Sequence, residues 1–183
     1  MGTPKNSIEN KIENLVRSRK TKEARNLIRQ YIYTHPNEND FTLKACDWYR
    51  RLGFYREGLQ LVLPRAEIHR GLLNASPMDR SKMFWVAHFL NLLGANSYAF
   101  SILKELIPSN EFEHRVAGNI FFENFQFKMA LPHYQEMTRL QKLGHKQDYS
   151  SRISQLGFAD TLAGLKDISG AKKIAHEVLV NSP

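Results

Sequence analysis

The sequence predicts an all-α protein, an α-solenoid of about five stacked helix-turn-helix repeats. Apolar residues recur at helical spacing along most of the chain, and neither strand alternation nor an Asn-Gly or Asp-Gly hairpin turn occurs. A small residue also recurs in similar local sequence, at separations of 34, 41, 31 and 41 residues (Ala24, Gly58, Ala99, Ala130 and Ala171). A small side chain there lets the two helices of a pair approach closely.

The first repeat shows the helical pattern twice. Its apolar residues fall into two stripes with i, i+3, i+4 spacing. The first stripe lies before residue 17 and the second begins at residue 24 (Ile8, Ile12, Leu15, Val16; Ala24, Leu27, Ile28, Tyr31, Ile32). Pro36 closes the repeat, because proline cannot continue a helix.

The second repeat is predicted as a helix over about residues 41–49, a turn at Gly53, and a helix over about 56–69. Gly53 follows the first helix where a left-handed residue is commonly needed. Pro64 should kink or shorten the second helix. Residues 71–79 are predicted to form a loop, with Pro77 among its breakers.

The remaining repeats follow the same scheme. The third turns at Gly94, and the fourth begins near Ser109 as the N-cap region, with Glu111 and Glu113 in the first helical turn. Its second helix should run over about residues 128–143. We expect one array over residues 5–183, with approximate repeats 5–38, 39–79, 80–110, 111–151 and 152–183.

These repeats resemble the tetratricopeptide repeat (TPR), a 34-residue helix-turn-helix unit with a Gly-x-Tyr turn, a small residue in the second helix and a closing proline. The residues that carry the resemblance lie mainly in the second and fourth repeats (Gly53, Tyr55, Gly58; Gly118, Phe121, Phe127, Ala130, Tyr134). The two separations of 41 residues depart from the family pattern, and so does Arg19, which stands where the turn glycine is expected.

The resemblance implies a right-handed superhelix with a concave groove. It also implies that the first helix of each repeat lines the concave face and carries the binding residues. The candidate partner-binding residues lie on these helices (Asp47, Arg50, Arg51, Phe84, His88, Asn91, Arg115, Asn119, Phe122 and Glu123), and the fifth repeat adds Leu156, Asp160 and Ala163. Cationic, amide and aromatic groups suit an extended peptide or loop that carries carboxylates. Phe84 and Phe122 are the candidate hot spots. A merely solvated helix face is the alternative for each residue.

Some TPR proteins hold a C-terminal carboxylate in a clamp on successive first helices. Arg115 and Asn119 have the spacing of one clamp component, but Glu13, Asp47 and Asp160 stand at related places. Because those acids would repel a carboxylate, we do not expect a carboxylate clamp. The resemblance predicts a non-enzymatic scaffold or adaptor that binds a partner protein or peptide.

Nucleic-acid binding is the alternative function. The formal net charge is +8 and the pI is near 9.6, which favours an acidic partner. Lys22, Arg25 and Arg29 share one side of a helix and could contact phosphates. Glu23 interrupts this run and no interleaved aromatic residue suggests base stacking, so a solvated basic face is the competing interpretation.

Sequence signatures of catalysis, cofactors and metals are absent. The seven histidines are scattered, with no HExxH pair, and no phosphate loop or nucleophile elbow occurs. The lone Cys46 lies among apolar residues and is predicted to be buried. With no secretory signal and no membrane span, we expect a cytoplasmic protein. The last repeat has no polar capping helix, which predicts a fragment of a longer protein or a homo-oligomer.

Overall fold

A computed structural model describes residues 4–36, 38–63, 77–144 and 149–180, and these residues form ten α-helices and no strand. The helices are α1 (Pro4–Arg17), α2 (Thr21–Thr34), α3 (Asn39–Arg51), α4 (Tyr55–Val62), α5 (Pro77–Leu92), α6 (Asn96–Leu103), α7 (Glu111–Glu123), α8 (Phe127–Gly144), α9 (Tyr149–Gly164) and α10 (Ile168–Val180). The predicted all-α repeat fold is confirmed.

The chain divides into two compact units, Met1–Leu93 and Gly94–Pro183. In the N-terminal unit α3 packs against α1, α2, α4 and α5. In the C-terminal unit α7 packs against α6, α8 and α9, and α10 packs on α9. The first helices of neighbouring repeats therefore touch within each unit. The single array over residues 5–183 stays a prediction.

Each helix pair turns through one residue with a left-handed backbone. These residues have φ angles between 55° and 82° (Arg19, Gly53, Gly94, Phe125 and Lys166). Each lies five residues before the recurring small residue, so the turn and the close helix contact keep one register in all five repeats. Glycine adopts this conformation without steric cost, whereas Arg19 and Phe125 adopt it with a Cβ atom in place.

The recurring small residue is buried in all five repeats. Ala24, Ala99 and Ala130 have no exposed surface. A Cβ atom added to Gly58 in α4 would lie 2.2 Å from a ring atom of Phe89 in α5. A larger side chain at position 58 has no room against α5. This contact is with the first helix of the next repeat, whereas the sequence predicted close approach within the pair α3 and α4.

Two helix starts differ from the sequence prediction. Asn110, not Ser109, is the N-cap of α7, and its side chain accepts the backbone N–H of Glu113 at 3.1 Å. The Glu113 carboxylate in turn accepts the N–H and the hydroxyl of Ser109, both at 2.8 Å, which is a capping box shifted by one residue. The predicted loop over residues 71–79 was wrong at its end, because Pro77 opens α5, a position where proline is tolerated.

Some predictions fall on residues outside the described ranges. Pro64 and the predicted end of the second repeat near residue 69 are among them, although α4 does end at Val62, before the proline. In the described ranges no helix is both long and apolar enough to cross a membrane. Cys46 is fully buried, as predicted.

Candidate partner-binding face

The polar face of α3 is largely engaged in contacts inside the N-terminal unit. Arg51 donates two hydrogen bonds to Glu13 of α1, at 2.8 and 2.9 Å. The indole Nε1 of Trp48 donates to the same carboxylate at 2.9 Å, and Arg17 adds a further bond at 3.0 Å. The hydrogen bond from Arg51 is the main cause that lowers the pKa of Glu13 to about 2, so this carboxylate is ionised at neutral pH.

Arg50 is also paired within the unit. Its guanidinium donates to Asp47 at 2.7 and 3.2 Å, and its side chain is only 17% exposed. Lys44 and Glu9 form another α3–α1 ion pair at 2.5 Å. Asp47, Arg50 and Arg51 lie on the α3 face as predicted, but both arginines are held by carboxylates of this chain, so a ligand would have to displace them.

The residues predicted on α5 are mostly buried, which corrects their expected exposure. Phe84 has no exposed surface and Asn91 is 6% exposed. His88 is half-buried, with its ring centroid 5.8 Å from that of Trp85. The segment 83–89 is apolar on nearly every side of the helix, and such a helix is buried all round. Phe84 is therefore a core residue and cannot act as an exposed hot spot.

The residues predicted on α7 separate into structural and exposed groups. Asn119 accepts a hydrogen bond from the Tyr134 hydroxyl of α8 at 2.9 Å and lies 3.5 Å from the Ser154 hydroxyl of α9. It therefore joins three helices. Arg115 is 12% exposed and lies 3.9 Å from Glu111. Phe122 is half-buried and Glu123 is exposed, so these two remain accessible at the end of α7.

The most accessible apolar surface on a first helix lies on α9. Ile153 is 50% exposed and Leu156 is 43% exposed, and Asp160 and Ala163 are also exposed. Their spacing of three, four and three residues places all four on one side of the helix. We call these four residues the α9 face. The helix that carries these residues packs against α7 and α8.

The α9 face carries a negative charge. Burial raises the pKa of the Tyr134 hydroxyl, and the carboxylates of Glu123 and Asp160 raise it further. Both carboxylates therefore lie close enough to Tyr134 for their charges to act on it. Of the two acids, Asp160 belongs to the α9 face itself, where it follows Leu156 by one helical turn.

The basic run of the first repeat is partly neutralised. Arg25 and Arg29 both approach Glu57 of α4, Arg29 at 3.6 Å. Lys20 lies 3.9 Å from Glu23. Lys22 and Arg19 are exposed, and among the described residues no carboxylate pairs with either. The predicted cationic side formed by Lys22, Arg25 and Arg29 therefore keeps one unpaired cation.

Sequence spacing did not reveal a histidine pair in the C-terminal unit. The Nδ1 atoms of His114 in α7 and His133 in α8 are 3.2 Å apart. The ring centroids are 5.4 Å apart, which is nearly the largest separation that two imidazole rings can have when their Nδ1 atoms are this close. The two nitrogens therefore lie between the rings and point at each other, as in a hydrogen bond. Burial lowers the pKa of both rings, that of His133 to about 4. Among the described residues no group of three or more His, Cys, Asp or Glu side chains could hold a metal ion.

Comparison with known proteins identifies the architecture. No protein-family model and no curated protein matches the sequence. The crystal structure of a putative kinesin light chain from Podosopora anserina, with nearly identical TPR-like repeats, aligns with a TM-score of 0.60 and 14% identity, over 96% of this chain and 93% of that chain. This chain has a TPR-like helical-repeat fold.

Two further structures agree. A variant of the same kinesin light chain gives a TM-score of 0.62 at 14% identity, over 96% of this chain and 92% of that chain. Residues 41 to the end of MamA from Desulfovibrio magneticus give 0.57 at 13% identity, over 98% of this chain and 95% of that chain. At such identities the likeness concerns the TPR-like fold alone.

Proposed function

We propose that this protein is a non-enzymatic scaffold or adaptor that binds a partner protein or peptide on exposed faces of its first helices. TPR-like folds generally serve as protein-interaction scaffolds, which supports this class of function. The observation that carries the proposal is the α9 face, where Ile153 and Leu156 keep about half of their surface in solvent. Two aliphatic side chains exposed one turn apart on a first helix offer a partner apolar area to bury.

The burial pattern favours the C-terminal unit over the N-terminal unit as the main binding region. Arg50 and Arg51 are engaged by Asp47 and Glu13, so recruiting them to a partner would break existing ion pairs. The α9 face has no such competitor among the described residues. A partner would bury Leu156 and Ile153 and gain stabilisation from the apolar area removed from water.

The test measures how tightly the whole protein binds a partner that was obtained by affinity selection. Ile153→Ser combined with Leu156→Ser should weaken binding at least tenfold, since truncation of central apolar contacts commonly has effects of this size. Tyr33→Ser is the matched control, because Tyr33 is 88% exposed and lies on α2. Equal binding by the double variant and the wild type would refute the α9 face as the binding surface.

Nucleic-acid binding by the N-terminal unit is the second candidate. Residues 1–93 hold 16 Lys and Arg against 9 Asp and Glu, a formal charge of +7, whereas residues 94–183 hold 10 against 9, a charge of +1. The concentration of charge in one unit favours a polyanionic ligand there. Affinity for a random-sequence RNA should then fall steeply between 50 and 200 mM salt, roughly in line with the number of phosphates contacted. No RNA retention at low salt would exclude this function.

A further inference from the structure

One position of the repeat is acidic in three of the five first helices. The residue eleven places before the recurring small residue is Glu13, Asp47, His88, Asn119 and Asp160 in successive repeats. Because the left-handed turn keeps a fixed distance from the small residue in every repeat, these five residues occupy equivalent places in their helices. The repeated position therefore permits a comparison of how each polar group is satisfied.

Three of the four equivalents of Asp160 form hydrogen bonds with other side chains of the protein. Glu13 is bound by Arg51 and Trp48, and Asp47 is bound by Arg50. Asn119 accepts the Tyr134 hydroxyl. Asp160 is exposed, and no Lys, Arg or His of the described residues pairs with it. Among the described residues no arginine forms an ion pair with Asp160 as Arg51 does with Glu13 and Arg50 does with Asp47.

The surroundings of Asp160 combine aliphatic surface with further negative charge. Leu156 lies one turn before Asp160 and Ile153 lies two turns before it, and both are exposed on the same side of α9. Glu123, at the end of α7, is a second exposed carboxylate, and its charge acts together with that of Asp160 to raise the pKa of the Tyr134 hydroxyl. Arg115, the candidate cation on α7, is 12% exposed and lies beside Glu111.

We infer that the α9 face binds a basic amphipathic segment of a partner protein, with Asp160 accepting a Lys or Arg side chain and Leu156 and Ile153 contacting aliphatic residues one and two turns away. This inference rests on the proposed scaffold function and specifies its partner. It reverses the partner charge that the arginines of α3 suggest, because those arginines already have carboxylate partners whereas Asp160 does not. Opposite charges beside an apolar strip fix the register and orientation of such a segment.

A random peptide library displayed on phage tests the inference with the full-length protein as bait. The selected peptides should carry Lys or Arg three or four residues from Leu, Ile, Val or Phe. Asp160→Lys should weaken a selected synthetic peptide about tenfold or more, and Asp160→Asn should weaken it several-fold, because a charge-assisted contact is lost. Glu105→Gln should leave the affinity of the peptide unchanged, since Glu105 is also an exposed acid of the same unit but lies outside α9.

The outcomes separate the inference from the function on which it rests. Selection of acidic peptides that depend on Leu156, or basic peptides that bind Asp160→Lys as tightly as wild type, would overturn the basic partner and leave the scaffold intact. If no selected peptide loses affinity with Leu156→Ser, the α9 face is not a binding surface and the proposed function fails there. Circular dichroism of each variant verifies that the helices are retained.

Discussion

The contact between Gly58 and Phe89 makes the clearest prediction about the architecture. Replacing Gly58 with alanine would place a Cβ atom 2.2 to 2.6 Å from three atoms of the Phe89 ring. Phe89 is fully buried, so its ring cannot turn outward. Intrinsic helix propensity alone would make Gly58→Ala stabilising by about 1 kcal/mol, whereas overpacking of this kind costs about 1–3 kcal/mol. We expect the clash to dominate, with a net destabilisation of up to about 2 kcal/mol.

Urea unfolding followed by helical circular dichroism measures this change. Phe89→Leu alone should destabilise the protein by leaving a cavity. In the double variant the two effects should not add, because the smaller side chain accommodates the new methyl group, and a coupling of about 1 kcal/mol or more is expected. Gly53→Ala is the control, because no atom lies within 4 Å of the added Cβ. This variant should lose stability only because residue 53 has a left-handed backbone, and its effect should show no coupling to Phe89→Leu. A stabilising Gly58→Ala, or additive effects with Phe89→Leu, would refute the packing argument.

Three further predictions concern charge and backbone strain. Glu13→Gln should lower the free energy of unfolding at pH 7 by about 1–2 kcal/mol, allowing for solvent screening of a side chain that is 27% exposed. The difference in unfolding free energy between this variant and the wild type should shrink as the pH falls from 4.5 to 2, because the lowered pKa of Glu13 sets that window. Denaturation at several pH values measures this difference. Because the pKa of His133 is lowered to about 4, the wild type should lose about 1–2 kcal/mol of unfolding free energy as the pH falls from 6.5 to 4. His133→Leu should reduce this dependence of stability on pH, and an unchanged dependence would contradict the role of His133. Phe125→Gly should raise the melting temperature, because glycine relieves the cost of the backbone φ angle of 58° and the side chain that is removed is 80% exposed. A lower melting temperature would show that the contacts of the Phe125 ring outweigh the backbone strain.

Much of the fold follows from spacing that is readable in the sequence. The recurring small residue at Ala24, Gly58, Ala99, Ala130 and Ala171 reports a steric requirement, and the left-handed turn five residues earlier follows it even where Arg19 and Phe125 replace glycine. Local chemistry also located Gly53 correctly. The start of α7 was misplaced by one residue because Ser109 and Asn110 are both good N-cap residues, and only the hydrogen bonds distinguish them.

The candidate site was harder to predict, because it depends on which side chains are already occupied. Helical register placed Arg51 correctly on a polar face, but its partner Glu13 lies 38 residues away on another helix. The same difficulty applies to His114 and His133, which meet only when α7 and α8 pack. Phe84 could have been corrected from sequence, since the run 83–89 has no polar side wide enough for solvent.

Site-specific photo-crosslinking on the α9 face tests the central claim most directly. A benzophenone side chain introduced at Leu156 should crosslink a selected basic peptide, and Asp160→Lys should raise the peptide concentration needed for half-maximal product about tenfold. The same probe at Tyr98, which is 72% exposed on α6 of the same unit, should give no product. Crosslinking at Tyr98 as strong as at Leu156, or none at Leu156 under saturating peptide, would contradict the account.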